Sequence, residues 1–174
     1  RPESTVETFA AVRLDIESPR WRGVPFFIRA GKYLPVTCTE VLVEFKAPPA
    51  SFETVTGRDR NHVRFRLGPD VGIAVGLQAK KDGEKLEGEG VELLAAHHDP
   101  QEMSAYERLF LDAMKGDPEL FTREDSVEEA WRIVDPILKS PPPVYEYEPG
   151  TWGPKEVDQL VCPPGGWQNP TVHT

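Results

Sequence analysis

The chain has 174 residues and a mass of 19.5 kDa, a size that fits one domain with one hydrophobic core. Hydrophobic residues make up 39%, and 29 acidic against 20 basic residues give a net charge of −9. This sign argues against a general nucleic-acid or anionic-membrane binder, and no apolar run is long enough to span a bilayer. Two cysteines, Cys38 and Cys162, form no disulfide framework and suit a reducing cytosol, so we expect a cytoplasmic protein. The chain opens with Arg1 rather than Met, which indicates a fragment or a cut domain.

The first hundred residues alternate between apolar and polar side chains with a period of two, which predicts strands with one buried face. The six runs are residues 8–17, 24–30, 41–45, 63–67, 73–79 and 91–95. Most gaps between them are too short for a crossover helix, so we expect mainly antiparallel pairing. One run has a second face of small uncharged residues, Gly72, Ala74, Gly76 and Gln78. That flat face suits stacking on another sheet, a cover of helices or a neighbouring domain.

The periodicity becomes helical after these strands. Ser104 and Glu107 form a capping box ahead of an apolar stripe, and Gly116 stands where the helix should end. Thr122 is expected to cap a second helix, which Pro136 should end or kink.

A last short helix is expected from Pro154. Residues 163–174 are rich in Pro, Gly and Asn and predict a loose C-terminal tail after a domain of residues 1–162. Strands followed by helices indicate an α+β fold, with a large, mainly antiparallel sheet and helices packed on one face.

Most motifs that carry chemistry are absent from the sequence. No G-x-G-x-x-G follows a predicted strand, and Gly31-Lys32 is not a phosphate loop because Tyr33 replaces the required Ser or Thr. No Cys-x-x-Cys or His-x-x-x-His pair exists, so we expect no metal site. Cys38 has no His nearby in sequence, and we expect no catalytic residue in this chain.

Basic residues cluster in the segment 20–32, which holds three arginines and Lys32. A phosphate monoester carries nearly two negative charges near neutral pH, and its binding needs several positive donors. Lys32 follows the end of a predicted strand, where a ligand could approach; the alternative is a solvated lysine. Arg29 faces away from the predicted apolar row and could instead pair with Glu40 or Glu44 across strands.

Several stretches of the sequence, in order along nearly the whole chain, resemble the family of glucose-6-phosphate dehydrogenase. They are Thr8–Val12, Trp21–Pro35, Ala105–Asp117, Leu120–Arg123, Ala130–Pro136 and Gly150–Pro154. The resemblance covers roughly the C-terminal third of such an enzyme. It implies a separate N-terminal Rossmann domain, upstream of Arg1, that supplies the NADP site and the catalytic histidine.

The family oxidises D-glucose 6-phosphate at C1 to the 6-phosphoglucono-lactone, with reduction of NADP, in the pentose phosphate pathway. Some members also use NAD. Because the cofactor fingerprint and the catalytic histidine lie outside this chain, the resemblance implies that the chain alone is inactive.

The resemblance also carries site residues. Lys32 corresponds to the lysine that binds the sugar phosphate, and Thr37 stands where the family usually has a second basic substrate contact. Thr37 can form a hydrogen bond but brings no charge. Mammalian members hold a structural NADP through an arginine that corresponds to Arg29 and a Tyr-Thr-Lys stretch where this chain has Ala74-Val75-Gly76. We therefore expect no structural NADP.

Family members associate as dimers or tetramers largely through the sheet, which agrees with the small uncharged face of Gly72–Gln78. The resemblance therefore implies a homodimer or homotetramer. Two alternatives are a non-enzymatic oligomerisation module of the same fold and an unrelated, anion-binding α+β protein.

Overall fold

A computed structural model describes residues 4–46, 60–83, 88–97 and 103–171. Six strands and three helices follow one another in these residues. The strands are β1 (Phe9–Asp15), β2 (Pro25–Gly31), β3 (Thr39–Glu44), β4 (His62–Gly68), β5 (Val71–Lys80) and β6 (Gly88–His97). The helices are α1 (Ala105–Lys115), α2 (Glu124–Lys139) and α3 (Val157–Leu160). The α+β prediction and the positions of all six strands are confirmed.

The strands form two antiparallel sheets. β1 and β2 make a two-stranded sheet in which Phe9 pairs with Gly31, and β3 to β6 make a four-stranded sheet in sequence order. The mainly antiparallel pairing is therefore confirmed. The sequence predicts one domain over residues 1–162, whereas the structure divides the chain into two compact units. One unit is Val6–His98 with Glu146–Thr174, and the other is Arg1–Thr5 with Asp99–Tyr145.

The apolar face of the four-stranded sheet differs from the prediction that it would be buried. Its register brings together Val43, Val63, Val75 and Leu93, one from each strand. Leu93 is nevertheless 60% exposed. Other exposed members of this apolar face are Val41, Val43, Leu67, Val71, Ile73, Leu77 and Val91. Alternation identifies which side chains share a face, but it does not say which face is covered, and here the apolar one stays open.

The opposite face is not the flat uncharged surface that the sequence predicts. The His62 ring lies over Gly76 so closely that a Cβ on that glycine would overlap it. Arg64 donates to Glu92 at 2.7 Å, and His62 lies 3.6 Å from the same carboxylate. Long charged side chains from β4 and β6 therefore cover the small residues of β5, and Ala74 is buried.

Arg66 extends this charged face at the other end of β4. It is buried, and it donates to Glu40 at 2.9 Å and to the backbone carbonyl of Thr171 at 2.8 Å. A buried guanidinium needs a charged partner and further acceptors to offset its desolvation, and both are present. The contact with Thr171 also attaches the C-terminal part of the chain to the four-stranded sheet.

In the unit of Asp99–Tyr145, helix α1 follows its predicted signals. Ser104 accepts a hydrogen bond from the Glu107 amide, Glu107 bonds back to the Ser104 amide, and Gly116 ends the helix in a left-handed conformation with φ +72°. These contacts confirm the capping box and the glycine stop.

Helix α2 departs from the prediction of its N-cap. Arg123, not Thr122, occupies the N-cap, and its side chain makes no capping hydrogen bond. The acidic first turn, Glu124 and Asp125, provides negative charge near the helix N-terminus instead. Pro136 does not end the helix, which continues to Lys139, where that lysine pairs with Asp135 one turn earlier. In the part of the chain that the structure describes, no helix combines the length and apolar character needed to cross a membrane.

The last described residues are packed, unlike the loose tail expected from Pro163. The indole Nε1 of Trp167 donates to the Val161 carbonyl at 3.1 Å, and its ring meets Phe27 edge-on at 6.3 Å. With the Thr171 contact to Arg66, these interactions attach residues 146–171, hereafter the C-terminal segment, to both sheets.

Candidate functional site

Lys32 is the first residue beyond β2, at the position that the sequence predicts. Its amide donates to the Thr8 carbonyl at 2.8 Å, and its own carbonyl accepts a hydrogen bond from the Tyr147 hydroxyl at 2.8 Å. The side chain is exposed, and within the described residues its ammonium has no hydrogen bond or ion pair. Lys32 therefore combines a fixed backbone with an available positive charge.

Gly31 is required beside Lys32 because an aromatic ring lies against it. A Cβ on Gly31 would lie 2.8 Å from Cδ2 of Phe9 and 3.2 Å from Cδ2 of Leu34. Any larger residue would push the Phe9 ring away. The glycine before the lysine thus allows β2 to end tightly against β1, where Phe9 pairs with Gly31.

The backbone turns sharply after Lys32. Tyr33 adopts a left-handed conformation with φ +52°, which non-glycine residues occupy only where the surroundings hold them. Its carbonyl accepts a hydrogen bond from the amide of Gly150 at 2.8 Å, and its side chain is exposed. The C-terminal segment thus contacts the backbone at two successive residues, Lys32 and Tyr33.

Thr37 lies at the far end of the loop that joins β2 to β3. Its side chain is exposed, and among the described residues no hydrogen bond joins it to Lys32. The next residue, Cys38, is partly buried, and this burial raises the pKa of its thiol despite the nearby positive charge of Arg66. A raised pKa keeps the thiol protonated and unreactive at neutral pH.

Arg29 occupies a different position from the one predicted. It does not pair with Glu40 or Glu44, because β3 belongs to the other sheet and Glu40 binds Arg66. Its guanidinium carbon lies 4.6 Å from the ring centroid of Trp152 and 4.7 Å from that of Trp167. The side chain also donates to Asn169 at 2.7 Å.

The Arg29 side chain is partly buried, and two opposing effects act on its pKa. Burial lowers the pKa of its guanidinium, and the negative charge of Asp158 partly opposes this effect. An arginine stays protonated despite such a shift, so the two indole rings supply the attraction that an acidic partner would otherwise provide. Arg29 therefore anchors the C-terminal segment to β2.

The face of the two-stranded sheet that carries Arg29 is thus the covered one. Ile28, which the sequence predicts to be buried, is 50% exposed on the other face. The sequence did not predict that Trp152 and Trp167 cover β2 or that Tyr147 contacts Lys32. The large aromatic residues of the C-terminal segment could have predicted this packing, because such side chains seldom stay exposed to water.

The chemistry of this site is set by the exposed ammonium of Lys32. A lysine ammonium is a flexible point charge with three donors, suited to a phosphate group. Among residues 4–46, 60–83, 88–97 and 103–171, no three His, Cys, Asp or Glu side chains lie close enough together to hold a metal ion. The feature that the described residues offer here is the exposed positive charge of Lys32 just beyond β2.

Comparisons with known proteins identify the family of the chain. Residues 1–168 match the family described as glucose-6-phosphate dehydrogenase, C-terminal domain. A glucose-6-phosphate 1-dehydrogenase of Aggregatibacter actinomycetemcomitans is 42% identical over 177 residues, covering 98% of this chain and 36% of the relative. A crystal structure of glucose-6-phosphate 1-dehydrogenase from Mycobacterium avium aligns with a TM-score of 0.87 and 38% identity, covering 99% of this chain and 37% of that one.

A second solved structure is a glucose-6-phosphate dehydrogenase in complex with its substrate glucose-6-phosphate. It aligns with a TM-score of 0.67 and 28% identity, and the alignment covers 87% of this chain and 33% of that one. The chain thus spans about a third of the length of the relatives that it matches. With the antiparallel sheets and the match over residues 1–168, these alignments establish that the chain belongs to the glucose-6-phosphate dehydrogenase C-terminal domain family.

Proposed function

We propose that this chain is the C-terminal part of an NADP-dependent glucose-6-phosphate 1-dehydrogenase and that Lys32 binds the phosphate group of the substrate. In the proposed reaction, the C1 carbon of D-glucose 6-phosphate transfers a hydride to NADP, and the C1 hydroxyl loses a proton to give the lactone. The observation that carries the proposal is the exposed Lys32 ammonium, which has no partner among the described residues, on a backbone held at both its amide and its carbonyl.

Thr37 is the proposed second substrate contact. It lies in the same loop as Lys32, exposed, with a hydroxyl that can donate to a phosphate oxygen. Lys32 brings a full positive charge to the phosphate and Thr37 only a hydroxyl dipole, so Lys32 should contribute more of the binding. The NADP that accepts the hydride belongs, in this proposal, to a Rossmann domain elsewhere in the complete enzyme, which we place in the cytoplasm.

We further propose that this chain holds no structural NADP. The arginine that would contact such a nucleotide, Arg29, already lies against Trp152 and Trp167 and donates to Asn169. Ala74, in the stretch where mammalian members have Tyr-Thr-Lys, is buried and offers neither a ring nor a charge. A nucleotide would therefore have to displace packed aromatic side chains.

The complete enzyme is expected to form NADPH from NADP only when D-glucose 6-phosphate is present, and the purified 174-residue chain is expected to form none. NADPH absorbance measures both. Titration of the purified chain with NADP should give no saturable change in tryptophan fluorescence. NADPH formation by the chain alone would contradict the assignment of the reaction centre to another domain. A complete enzyme without activity would favour the alternative, a non-enzymatic oligomerisation module.

We also propose that two copies associate through the apolar face of the four-stranded sheet. The opposite face of this sheet does not favour that role, because Arg64 and Glu92 cover its small residues. The apolar face presents side chains that are 40% to 60% exposed, Leu77 and Leu93 among them. A stable pair would bury about 800 Å² on each partner, and an open sheet face of this kind suits such an area.

Leu93 and its neighbour Leu94 offer a matched test of this interface. They are 60% and 52% exposed, and they lie on opposite faces of β6. Leu93→Glu is expected to convert the complete protein to monomer, because it would bury an unpaired carboxylate, whereas Leu94→Glu should leave the assembly intact. Sedimentation velocity over a concentration series measures the outcome. Dissociation by Leu94→Glu alone, or a wild-type protein that is monomeric throughout, would contradict this choice of face.

A further inference from the structure

We propose that Tyr147 is a positioning residue for Lys32, and that its hydroxyl sets the affinity for the sugar phosphate without touching it. This inference rests on the proposed role of Lys32 in substrate binding. The central observation is that the Tyr147 hydroxyl donates to the Lys32 carbonyl at 2.8 Å, from a position 115 residues away in sequence.

The hydroxyl lies where β1, β2 and the C-terminal segment meet. It is also 3.2 Å from the Thr8 carbonyl and 3.4 Å from the Thr8 hydroxyl. A phenol has one hydrogen to donate, and the shorter distance identifies the Lys32 carbonyl as its main acceptor. The Thr8 hydroxyl can then donate to the phenol oxygen. The Thr8 carbonyl is satisfied separately by the Lys32 amide at 2.8 Å.

The Tyr147 ring is itself held in place. It packs against Phe9 with ring centroids 5.5 Å apart. The Phe9 ring is confined in turn by Gly31 and Gly153, since a Cβ on either glycine would press into it. The hydroxyl therefore reaches Lys32 from a ring that is packed against Phe9, so its direction is set by contacts within the chain.

Loss of this hydroxyl would remove the hydrogen bond that the Lys32 carbonyl accepts, at a residue just outside the strand ladder. Lys32 is outside the β1–β2 ladder, and among the described residues Tyr147 supplies the hydrogen bond that its carbonyl accepts. The following residue, Tyr33, is in a left-handed conformation that depends on its surroundings. Without the bond the peptide between them can rotate, and the ammonium then samples positions away from the phosphate.

The direct test is Tyr147→Phe in the complete enzyme, which keeps the contact with Phe9 and removes only the hydroxyl. We expect the KM for D-glucose 6-phosphate to rise about fivefold, the effect of one lost hydrogen bond, while kcat and the KM for NADP stay within about twofold. Tyr145→Phe is the matched control, because within the described residues the Tyr145 hydroxyl makes no hydrogen bond. It should leave all three constants unchanged.

A double-variant cycle separates positioning from a general structural role. If Tyr147 acts through Lys32, then Tyr147→Phe should raise KM no further in a Lys32→Ala enzyme. Independent, multiplying effects would overturn the proposal, and so would an unchanged KM in Tyr147→Phe itself. An unchanged KM in Lys32→Ala would instead overturn the proposed substrate site, so the two failures are distinguishable.

A second variant covers the case in which Tyr147→Phe does not fold. Phe9→Leu removes the ring that holds Tyr147 and leaves the hydroxyl in place. It should raise the KM for the sugar phosphate by a smaller factor, about twofold to threefold, and again only when Lys32 is present. An equal rise in the Lys32→Ala enzyme would overturn the proposal.

Discussion

Lys32→Ala is expected to raise the KM of the complete enzyme for D-glucose 6-phosphate by about 10- to 100-fold. A hydrogen bond to a charged group is worth about 1.5–3 kcal/mol, and about 1.4 kcal/mol corresponds to a factor of ten in affinity. The phosphate lies away from the reacting C1 atom, so the interaction has the same strength in the ground and transition states. Such uniform binding appears in KM, and kcat should change far less.

Two further variants make the Lys32 result specific. Lys155→Ala removes another exposed lysine and should leave the KM unchanged. Lys32→Arg keeps the positive charge and should recover part of the lost affinity, although the planar guanidinium cannot reproduce the geometry of an ammonium. Steady-state kinetics with varied sugar phosphate at saturating NADP measure all three. Equal KM values for Lys32→Ala and wild type would remove Lys32 from the substrate site.

The positions of the strands could be predicted because alternation is a local property. The run around Val63 and Phe65 needs only its own residues to specify a strand, and β4 forms there. The capping box at Ser104 is equally local, and it forms as predicted. Lys32 could be placed at a strand end for the same reason, since Gly31 closes the alternating run.

The buried face could not be predicted, because it depends on contacts between distant segments. Arg29 meets Asn169 across 140 residues, and Tyr147 meets Thr8 across 139. The sequence offers Glu40 or Glu44 as partners of Arg29, whereas its contacts are Trp152 and Trp167, the second of which lies in the segment expected to be a loose tail. The site predicted from the sequence therefore contained Lys32 and Thr37 but not Tyr147, which contacts the Lys32 backbone.

Gly153 connects this long-range packing to stability. Its backbone has φ +106°, a conformation that residues with a side chain rarely adopt, and a Cβ there would overlap the ring of Phe9. That ring has little room to move, since Gly31 lies on it as well and Tyr147 packs against it. The backbone strain and the overlap each cost about 1–3 kcal/mol.

Gly153→Ala is therefore expected to destabilise the protein by about 3–5 kcal/mol and to lower its Tm by roughly 10 °C. Gly150→Ala is the matched control, because Gly150 also has a positive φ of +79° but has nothing within 4 Å of its Cβ position. It keeps the amide that bonds Tyr33 and should cost only about 1–2 kcal/mol. Thermal unfolding followed by tryptophan fluorescence compares the two variants. Equal losses of stability in the two variants would mean that Gly153 is needed only for its backbone conformation, and not for its contact with the Phe9 ring.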